Sequence, residues 1–469
     1  MQYSVIRKID LDYHHPNFRL DPEYYDPETL SIVDKILKKS NNRISDIAVV
    51  TDGEHGSPIL DEKSGIAYLS GHNIKESIID FENIRFCSKE LHEKNLRSSL
   101  KKGNVLISIV GTVGSSAVVN EDVLANTDRN VATIKNIDGK YNPFYLSTFL
   151  NSKYGSTQVK RSCAGNVQPI LNLTELRLVR IPIQTLDFQI KIECLVERSH
   201  ALLKQLKSLY QQAENLLLEE LGLKDWKPKH QLSYVKNYSD TQKAERFDAE
   251  YFQPQYDAII EQIKSYKNGF DFAKKVISLN TKNYQPIGDK DYRYIELSNI
   301  SQNGEINGFT QSKGEELPSR ARRKVKKGDL ILSSIEGSLD SIAMINDNYE
   351  NMLCSTGFFV VNSKNINAET ALIFFKSQVG QLQLKKGCSG TILTAISSDE
   401  FNQILIPKIS QKIQDEIQDK VKRIYLFKAQ SKALLEIAKK AVEMAIESNE
   451  EKATKWIDQE LEKLGVQFK

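Results

Sequence analysis

The stretch Lys101-Lys-Gly-Asn-Val-Leu-Ile-Ser108 returns as Lys326-Lys-Gly-Asp-Leu-Ile-Leu-Ser333 in the second half of the 469-residue chain. In each copy a basic pair and a glycine precede an aliphatic run, which is typical of a buried strand. Glycines follow each run, in Gly111-Thr-Val-Gly114 and at Gly337, and predict a tight reversal of the chain. Because recurrence at one spacing marks a repeated structural unit, we expect two similar globular units.

Other segments recur in the same order, about 225 residues later. They are Arg19-Leu-Asp-Pro-Glu-Tyr-Tyr-Asp-Pro27 with Arg246-Phe-Asp-Ala-Glu-Tyr-Phe-Gln-Pro254, Ser70-Gly-His-Asn-Ile74 with Leu297-Ser-Asn-Ile300, Lys160-Arg-Ser-Cys-Ala-Gly165 with Lys385-Lys-Gly-Cys-Ser-Gly390, and Ile181-Pro182 with Ile406-Pro407. Helical patterns follow the first pair and lie near 145–153 and 368–378. Strands and helices in each copy predict an α+β unit.

Each copy ends in a long stretch that lacks proline and glycine. Leu195, Leu202, Leu209 and Leu216 lie seven residues apart in the first stretch, and the second runs from 410 toward 460. Heptad spacing predicts a coiled-coil seam. Two similar α/β units joined by two such helices are expected to pack with pseudo-two-fold symmetry around an antiparallel coiled coil. The predicted parts are a first unit at 1–185, a long spacer helix at 186–222, a linker at 223–244, a second unit at 245–409, and a second long helix with the C-terminal tail at 410–469.

Composition excludes several classes of protein. A net charge of +3, from 64 basic and 61 acidic residues, gives no bulk signature of a strongly basic nucleic-acid binder. Five cysteines without C-x-x-C spacing exclude a disulfide framework and a zinc site. No run approaches the roughly 18 apolar residues that span a bilayer, and the N-terminal residues lack the layout of a secretory signal. We therefore expect a cytoplasmic protein.

No segment predicts catalysis by this chain. Asn142-Pro-Phe-Tyr145 is similar to the Asn-Pro-Pro-aromatic motif of amino-methyltransferases, but its third residue differs and no glycine-rich cofactor loop accompanies it. Capping of a helix by Asn142 is the preferred interpretation. The Gly111 turn lacks the ending of a phosphate-binding loop, and His-Glu-x-x-His is absent from the sequence. Cys163 and Cys388 recur without a partnering histidine and are interpreted as small buried residues.

The ordered, doubled pattern resembles the specificity (S) subunits of type I restriction-modification systems over essentially the full chain. The matching segments are Tyr68-Leu-Ser-Gly-His-Asn-Ile74 and Tyr294-Ile-Glu-Leu-Ser-Asn-Ile300, the Lys-Lys-Gly segments at 101–103 and 326–328, and Gln189-Ile-Lys-Ile192 and Gln414-Asp-Glu-Ile417 after each Ile-Pro. The resemblance implies that 1–185 and 245–409 are target recognition domains for a bipartite, gapped site in double-stranded DNA.

The resemblance also implies a set of partners. Two methyltransferase (modification) subunits would carry S-adenosylmethionine and methylate adenine, and restriction subunits would carry ATP and Mg for translocation and cleavage. The chain itself would bind no cofactor or metal. Two alternatives stay open, namely a DNA-recognition component of another phage-defence system and a two-headed protein-binding scaffold.

Candidate DNA contacts are basic and polar residues in the recurring segments. Cations at 320–327 and beside each Cys-x-Gly step suit phosphates. Asn suits adenine, Arg suits guanine and Glu suits the cytosine amino group. A solvated charge run and ordinary turn chemistry are the alternative interpretations. The predicted contacts are Ser108, Thr112, Ser115, Arg129, Asn130, Lys160, Arg161, Asn166, Arg320, Arg322, Arg323, Lys326, Ser334, Glu336, Ser338, Lys385, Lys386 and Thr391.

Apolar residues off the inner stripe of the long helices are candidates for contacts with the modification subunits. Their helical positions predict that they are exposed rather than buried in the seam. They are Leu203, Tyr210, Leu217 and Ile446.

Overall fold

The computed structural model describes residues 22–40, 42–82, 84–165, 168–301, 304–346, 348–390 and 394–466. These residues form two units. The first unit contains the described residues up to Lys204 together with those from Phe427 onward, and the second unit is Gln205–Leu426. Each of the two long helices therefore contributes one part to each unit.

Fifteen α-helices lie within the described ranges. In chain order they are α1 (Pro27–Lys39), α2 (Ile44–Ile47), α3 (Lys89–Lys94), α4 (Pro143–Asn151), α5 (Lys153–Ser162), α6 (Leu173–Leu178), α7 (Leu186–Glu220), α8 (Tyr238–Ala244), α9 (Pro254–Lys264), α10 (Ala273–Val276), α11 (Ala368–Lys376), α12 (Gln378–Lys386), α13 (Ser398–Asn402), α14 (Gln411–Glu447) and α15 (Glu450–Leu464).

The strands are short and fall into the same two groups. Those of the first unit are β1 (Val49–Asp52), β2 (Ala67–Leu69), β3 (Ile74–Lys75), β4 (Ile78–Ile79), β5 (Arg85–Phe86), β6 (Val105–Ser108), β7 (Ser116–Val118), β8 (Ala125–Thr127) and β9 (Val131–Lys135). Those of the second unit are β10 (Phe270–Phe272), β11 (Ile277–Asn280), β12 (Asp291–Ile295), β13 (Thr310–Lys313), β14 (Ala321–Val325), β15 (Leu330–Ser333), β16 (Ile342–Met344), β17 (Met352–Ser355), β18 (Phe358–Ser363), β19 (Cys388–Ser389), β20 (Ala395–Ile396) and β21 (Leu405–Pro407).

The main sheets of the two units have the same strand order. Antiparallel strands run β1-β9-β6-β7 in the first unit and β11-β18-β15-β16 in the second. The recurring aliphatic runs form β6 and β15, and all four residues of each strand are buried. The predicted strand, turn and strand of each copy are confirmed, and so is the mixed helix-and-sheet fold.

A second sheet in each unit contains one parallel strand pair. In the first unit its order is β5-β2-β8, with β2 and β8 parallel. In the second unit its order is β13-β12-β17-β14, with β12 and β17 parallel. The second unit therefore has one additional strand, β14, which carries much of the basic run at 320–327.

A helix elbow packs on each main sheet. The side chain of Asn142 caps α4 by accepting a hydrogen bond of 2.8 Å from the Phe144 N–H, and Pro143 occupies the first turn. This confirms the capping interpretation of the Asn-Pro segment. Helix α5 follows after Ser152, and α11 and α12 form the same elbow at Ser377.

The long helices pack against each other within each unit. In the first unit the Ser199 and Ser431 hydroxyls are 2.7 Å apart, and Lys191 Nζ lies 2.6 Å from Asp458 Oδ1. Ser199 follows Lys191 along α7, whereas Ser431 precedes Asp458 along α14 and α15. This pairing is therefore antiparallel. In the second unit, Lys420 Nζ of α14 donates to Gln212 Oε1 of α7 at 3.2 Å.

The second long helix is shorter than its apolar pattern predicts. The sequence predicts one helix from 410 toward 460, whereas α14 ends at Glu447 and α15 begins at Glu450. The Asn449 side chain accepts a 2.9 Å hydrogen bond from the Lys452 N–H and caps α15. An asparagine in this role starts a new helix even where no proline or glycine interrupts the pattern.

The predicted exposure of Leu217 and Ile446 is wrong. Both side chains are buried, at 0% and 1% exposure, within the core clusters of the second and first unit, respectively. The heptad pattern marks only the seam between the long helices. The two core clusters also contain residues of the helices that cover each sheet, so the long helices bury more than the heptad seam. No helix of the described ranges combines the length and apolar character needed to cross a membrane.

Candidate nucleic-acid interface

A groove in the first unit brings together two segments that lie far apart in the sequence. One wall is the turn between β6 and β7, the other wall is formed largely by α5, and the volume is about 510 Å³. Three predicted DNA contacts, Thr112, Ser115 and Lys160, share this first groove. It is lined by Glu76, Gly111, Thr112, Val113, Gly114, Ser115, Asn151, Ser156, Lys160, Cys163 and Pro169.

The second unit has a groove between the corresponding elements. It has a volume of about 810 Å³ and lies between the turn after β15 and helix α12. This second groove is lined by Pro228, Ile335, Glu336, Gly337, Leu339, Asp340, Gln378, Gln381, Leu382, Lys385 and Thr394. Residues 225 positions apart line both grooves, as in Gly111 and Glu336, Ser156 and Gln381, Lys160 and Lys385, and Pro169 and Thr394.

The cation that follows each groove lysine, Arg161 after Lys160 and Lys386 after Lys385, contacts other segments of the chain instead of lying free on the surface. The Arg161 guanidinium lies 3.6 Å from the centre of the Tyr24 ring, and its Nε donates to the Tyr24 carbonyl at 2.8 Å. Lys386 lies 5.1 Å from the Tyr251 ring and 3.3 Å from Asp257. These contacts give a physical reason for the recurrence of the Asp-x-Glu-Tyr segments. Because Arg161 is buried, its side chain is not exposed as the predicted contact with DNA requires.

The polar residues that follow β6 and β15 serve mainly to fix the turns. Ser108 is fully buried and its hydroxyl donates to the Val110 carbonyl at 3.1 Å, so its predicted exposure to DNA is also wrong. Ser334 donates to the Gly357 carbonyl at 3.0 Å, and the Ser338 hydroxyl lies 2.8 Å from the Ser333 hydroxyl. These turns are therefore held in one conformation.

Arg129 and Asn130 follow the parallel strand β8. Asn130 donates to the Asp128 carboxylate at 3.0 Å, while Arg129 is exposed. Burial raises the pKa of Asp128, and the hydrogen bonds from Asn130 oppose that rise. Arg129 stays a predicted contact. Asn166 and Thr391 lie outside the described residues.

The basic run at 320–327 lies largely on β14, an edge strand of the second sheet of the second unit. Arg322 donates to the Ser319 carbonyl at 3.0 Å and to Gln285, and Arg323 donates to the Thr281 carbonyl. These two arginines therefore anchor the loop before β12. Arg320 and Lys326 are exposed. Within the described ranges no carboxylate forms an ion pair with any cation of the run, so its positive charge is not neutralised.

A smaller group of cations lies beside β9 and the start of β6 in the first unit. Lys135 Nζ donates to the Arg97 carbonyl at 2.7 Å. Burial, and then repulsion by Lys101 and Arg97, lower the pKa of Lys135. The charge of this group is partly offset at Arg97, whose Nη2 lies 4.0 Å from Asp52 Oδ1.

Several residues of the grooves do not appear among the predicted contacts. They are Glu76, Asn151, Ser156, Asp340 and Gln381. The spacing of 225 residues could have pointed to Ser156 and Gln381, since it aligns them as it aligns Lys160 and Lys385. The two half-buried candidates for partner contacts, Leu203 and Tyr210, stay predictions.

Lys376 fixes the turn that lines the second groove. Its Nζ donates to the Asp340 carbonyl at 2.8 Å. Burial lowers the pKa of Lys376 to about 8, and attraction to Asp340 and Glu214 opposes the change. The first unit has Asn151 at the corresponding position, where its side chain bonds both the N–H and the carbonyl of Ser116.

The lowered pKa of Lys376 predicts a pH-dependent stability. Between about 8 and the ordinary lysine value of about 10.4, the unfolded chain binds more protons than the folded chain, so the free energy of unfolding rises with pH. From pH 7.5 to 9.5 we expect the second unit to gain about 2 kcal/mol relative to Lys376→Met in urea unfolding. Lys264→Met, which alters an exposed lysine of the same unit, serves as the control. Parallel pH profiles for the wild-type chain and Lys376→Met would contradict the assignment.

Metal chemistry has no candidate in the part of the chain that the structure describes. No group of three or more His, Cys, Asp or Glu side chains there is arranged to hold a metal ion.

Comparisons with known proteins show what the first unit is similar to. Residues 39–207 match the model of the type I restriction modification DNA specificity domain. The specificity subunit of the type I restriction enzyme EcoBI of Escherichia coli is 29% identical over 157 residues, which cover 34% of this chain and 32% of that protein. The match thus spans about a third of the curated relative. Residues 39–207 of this chain are therefore similar to a type I DNA specificity domain, and the resemblance to type I specificity subunits is confirmed.

Two solved structures align over most of the chain at low identity. The type I restriction-modification S subunit from M. genitalium is 12% identical, with a TM-score of 0.40, and the match covers 91% of this chain and 96% of that one. The HsdS subunit from Thermoanaerobacter tengcongensis is 11% identical, with a TM-score of 0.27, covering 87% and 96%.

Proposed function

We propose that this chain is the DNA-recognition subunit of a type I restriction-modification complex. It holds a bipartite, gapped target in double-stranded DNA, with one half of the target on each unit. The observation that carries the proposal is the pair of grooves, built from equivalent residues in both units but lined by different side chains. Grooves that have equivalent positions but different side chains can bind two half-sites of different sequence.

The chain provides recognition, and the reactions belong to its partners. Two methyltransferase subunits with S-adenosylmethionine methylate an adenine in or beside each half-site, and restriction subunits use ATP and Mg. The family match of the first unit and the unneutralised cations at 320–327 support this assignment. The long helices offer the surface for the methyltransferase subunits, with Leu203 and Tyr210 as the candidate contacts.

Methylome sequencing of cells that carry this gene with its neighbours tests the proposal. A gapped motif with methylated adenine is expected. Exchange of residues 1–185 for those of a relative should change one half of the motif and preserve the other. A motif without a gap, or a change in both halves, would contradict the two-unit model. Absence of any retardation of duplex DNA by the purified chain would favour the protein-binding scaffold instead.

Lys326 is expected to contact a phosphate. Because a phosphate contact releases a counterion, Lys326→Ala should weaken binding to all duplexes alike and reduce the slope of log K against log salt by about one. Titrations at several salt concentrations measure both effects. Lys264→Ala is the matched control, since Lys264 is exposed in the same unit and already paired with Glu261 at 2.9 Å. An unchanged slope would remove Lys326 from the interface.

A further inference from the structure

The two grooves carry opposite uncompensated charges. In the first groove the acid is neutralised, because Glu76 lies 2.9 Å from Lys439, while Lys160 forms no ion pair within the described ranges. In the second groove the base is neutralised, because Lys385 lies 3.3 Å from Glu250. The described residues offer Glu336 no cation within ion-pairing distance.

The carboxylate of Glu336 is presented by a rigid turn. The Glu336 N–H donates to the Thr394 carbonyl at 2.9 Å, and Ser338 bonds Ser333 at 2.8 Å. At the other end of the turn, Lys376 holds the Asp340 carbonyl. Glu336 itself is half-buried. A side chain on a fixed frame loses little conformational freedom when it binds, which is what selective recognition requires.

An ionised carboxylate restricts which part of a duplex can occupy the second groove. It accepts hydrogen bonds and donates none, and it repels phosphate. In the major groove the donors on base edges are the amino groups of cytosine (N4) and adenine (N6). For contact from the major groove, the occupant is therefore cytosine or adenine, not the DNA backbone. Lys160, as a donor, suits the acceptors of guanine or a phosphate.

We propose, on the basis of the proposed function, that Glu336 is a specificity-determining residue. Its carboxylate accepts a hydrogen bond from the amino group of one base in the half-site that the second unit holds. Because Lys160 cannot accept a hydrogen bond, the first unit does not select an amino group in the same way.

Selection of binding sequences from a random duplex library tests this proposal with the full-length chain. The wild-type chain, Glu336→Ala, Glu336→Gln and the control Asp399→Ala are compared at one salt concentration. Asp399 is an exposed acid on α13 that does not line the groove. In Glu336→Ala, the preference at one base pair of one half-site should fall by about tenfold or more, while every other position is retained.

The nature of the base at that position identifies the donor. A cytosine in the wild-type motif assigns the N4 amino group, and an adenine assigns N6. Glu336→Gln keeps the shape of the side chain and should shift the preference toward adenine, because an amide pairs with both N6 and N7 of that base. A motif that is unchanged in both Glu336 variants, each with a wild-type unfolding midpoint, would overturn the proposal. Failure of the wild-type chain to select any motif would instead overturn the proposed function.

Discussion

Truncation after Ser448 is expected to unfold the first unit and to leave the second folded. The deletion removes α15, which buries Ala453, Ile457 and Leu461 in the core cluster of the first unit. Burial of each larger aliphatic side chain contributes about 1.5–3 kcal/mol. Together with the packing that their neighbours lose, the summed loss of stabilising free energy approaches the free energy of unfolding of a whole domain, about 5–15 kcal/mol. Limited proteolysis with mass spectrometry should show cleavage throughout 42–204 and protection within 245–409.

A milder variant makes the truncation result interpretable. Ile457→Ala should destabilise only the first unit, by about 2–5 kcal/mol in urea unfolding, as expected for a large-to-small change in a core. The core cluster of the second unit contains no residue of α15. Equal loss of protection in both units after the truncation would show that α15 supports more than the first core.

The repeated frame of the protein could be predicted from sequence because local signals determine it. The aliphatic runs before Ser108 and Ser333 became β6 and β15, and Asn142 capped a helix as its residue type favours. The long helices followed from apolar spacing. These features depend on neighbours within a few residues, so a repeat that doubles each signal makes them robust.

Whether each candidate side chain is buried or ion-paired could not be predicted, because this depends on residues far away in the sequence. Arg161 and Lys160 are adjacent, yet Arg161 is buried over Tyr24 and Lys160 lines a groove. Lys385 looks like Lys160 in the sequence, and only the fold reveals that Glu250 neutralises it. Burial of Leu217 and Ile446 likewise depends on a second packing face that heptad counting does not detect.

Substitution of Gly155 or Gly380 by alanine is expected to destabilise one unit selectively. A Cβ at Gly155 would lie 2.2 Å from the Phe149 carbonyl oxygen, and one at Gly380 would lie 2.4 Å from that of Phe374. Both obstacles are backbone atoms of the preceding helix, so the helix elbow must open. An exposed helical Gly→Ala change normally stabilises by about 1 kcal/mol. Here overpacking should destabilise by about 3 kcal/mol, measured by urea unfolding of each unit.

Matched glycines separate this steric effect from a general effect of alanine. Gly139 in the first unit has open space where a Cβ would stand, and at Gly288 in the second unit the Cβ would make only ordinary contacts with Glu315. Alanine at either position should leave stability within about 0.5 kcal/mol of the wild type, as is usual for surface changes. Gly155→Ala should affect only the first unit and Gly380→Ala only the second, since each elbow packs on its own sheet. Unchanged stability in both elbow variants would mean that the helix pairs α4–α5 and α11–α12 can move apart without loss of free energy. The presence of glycine at both elbows would then have no steric cause.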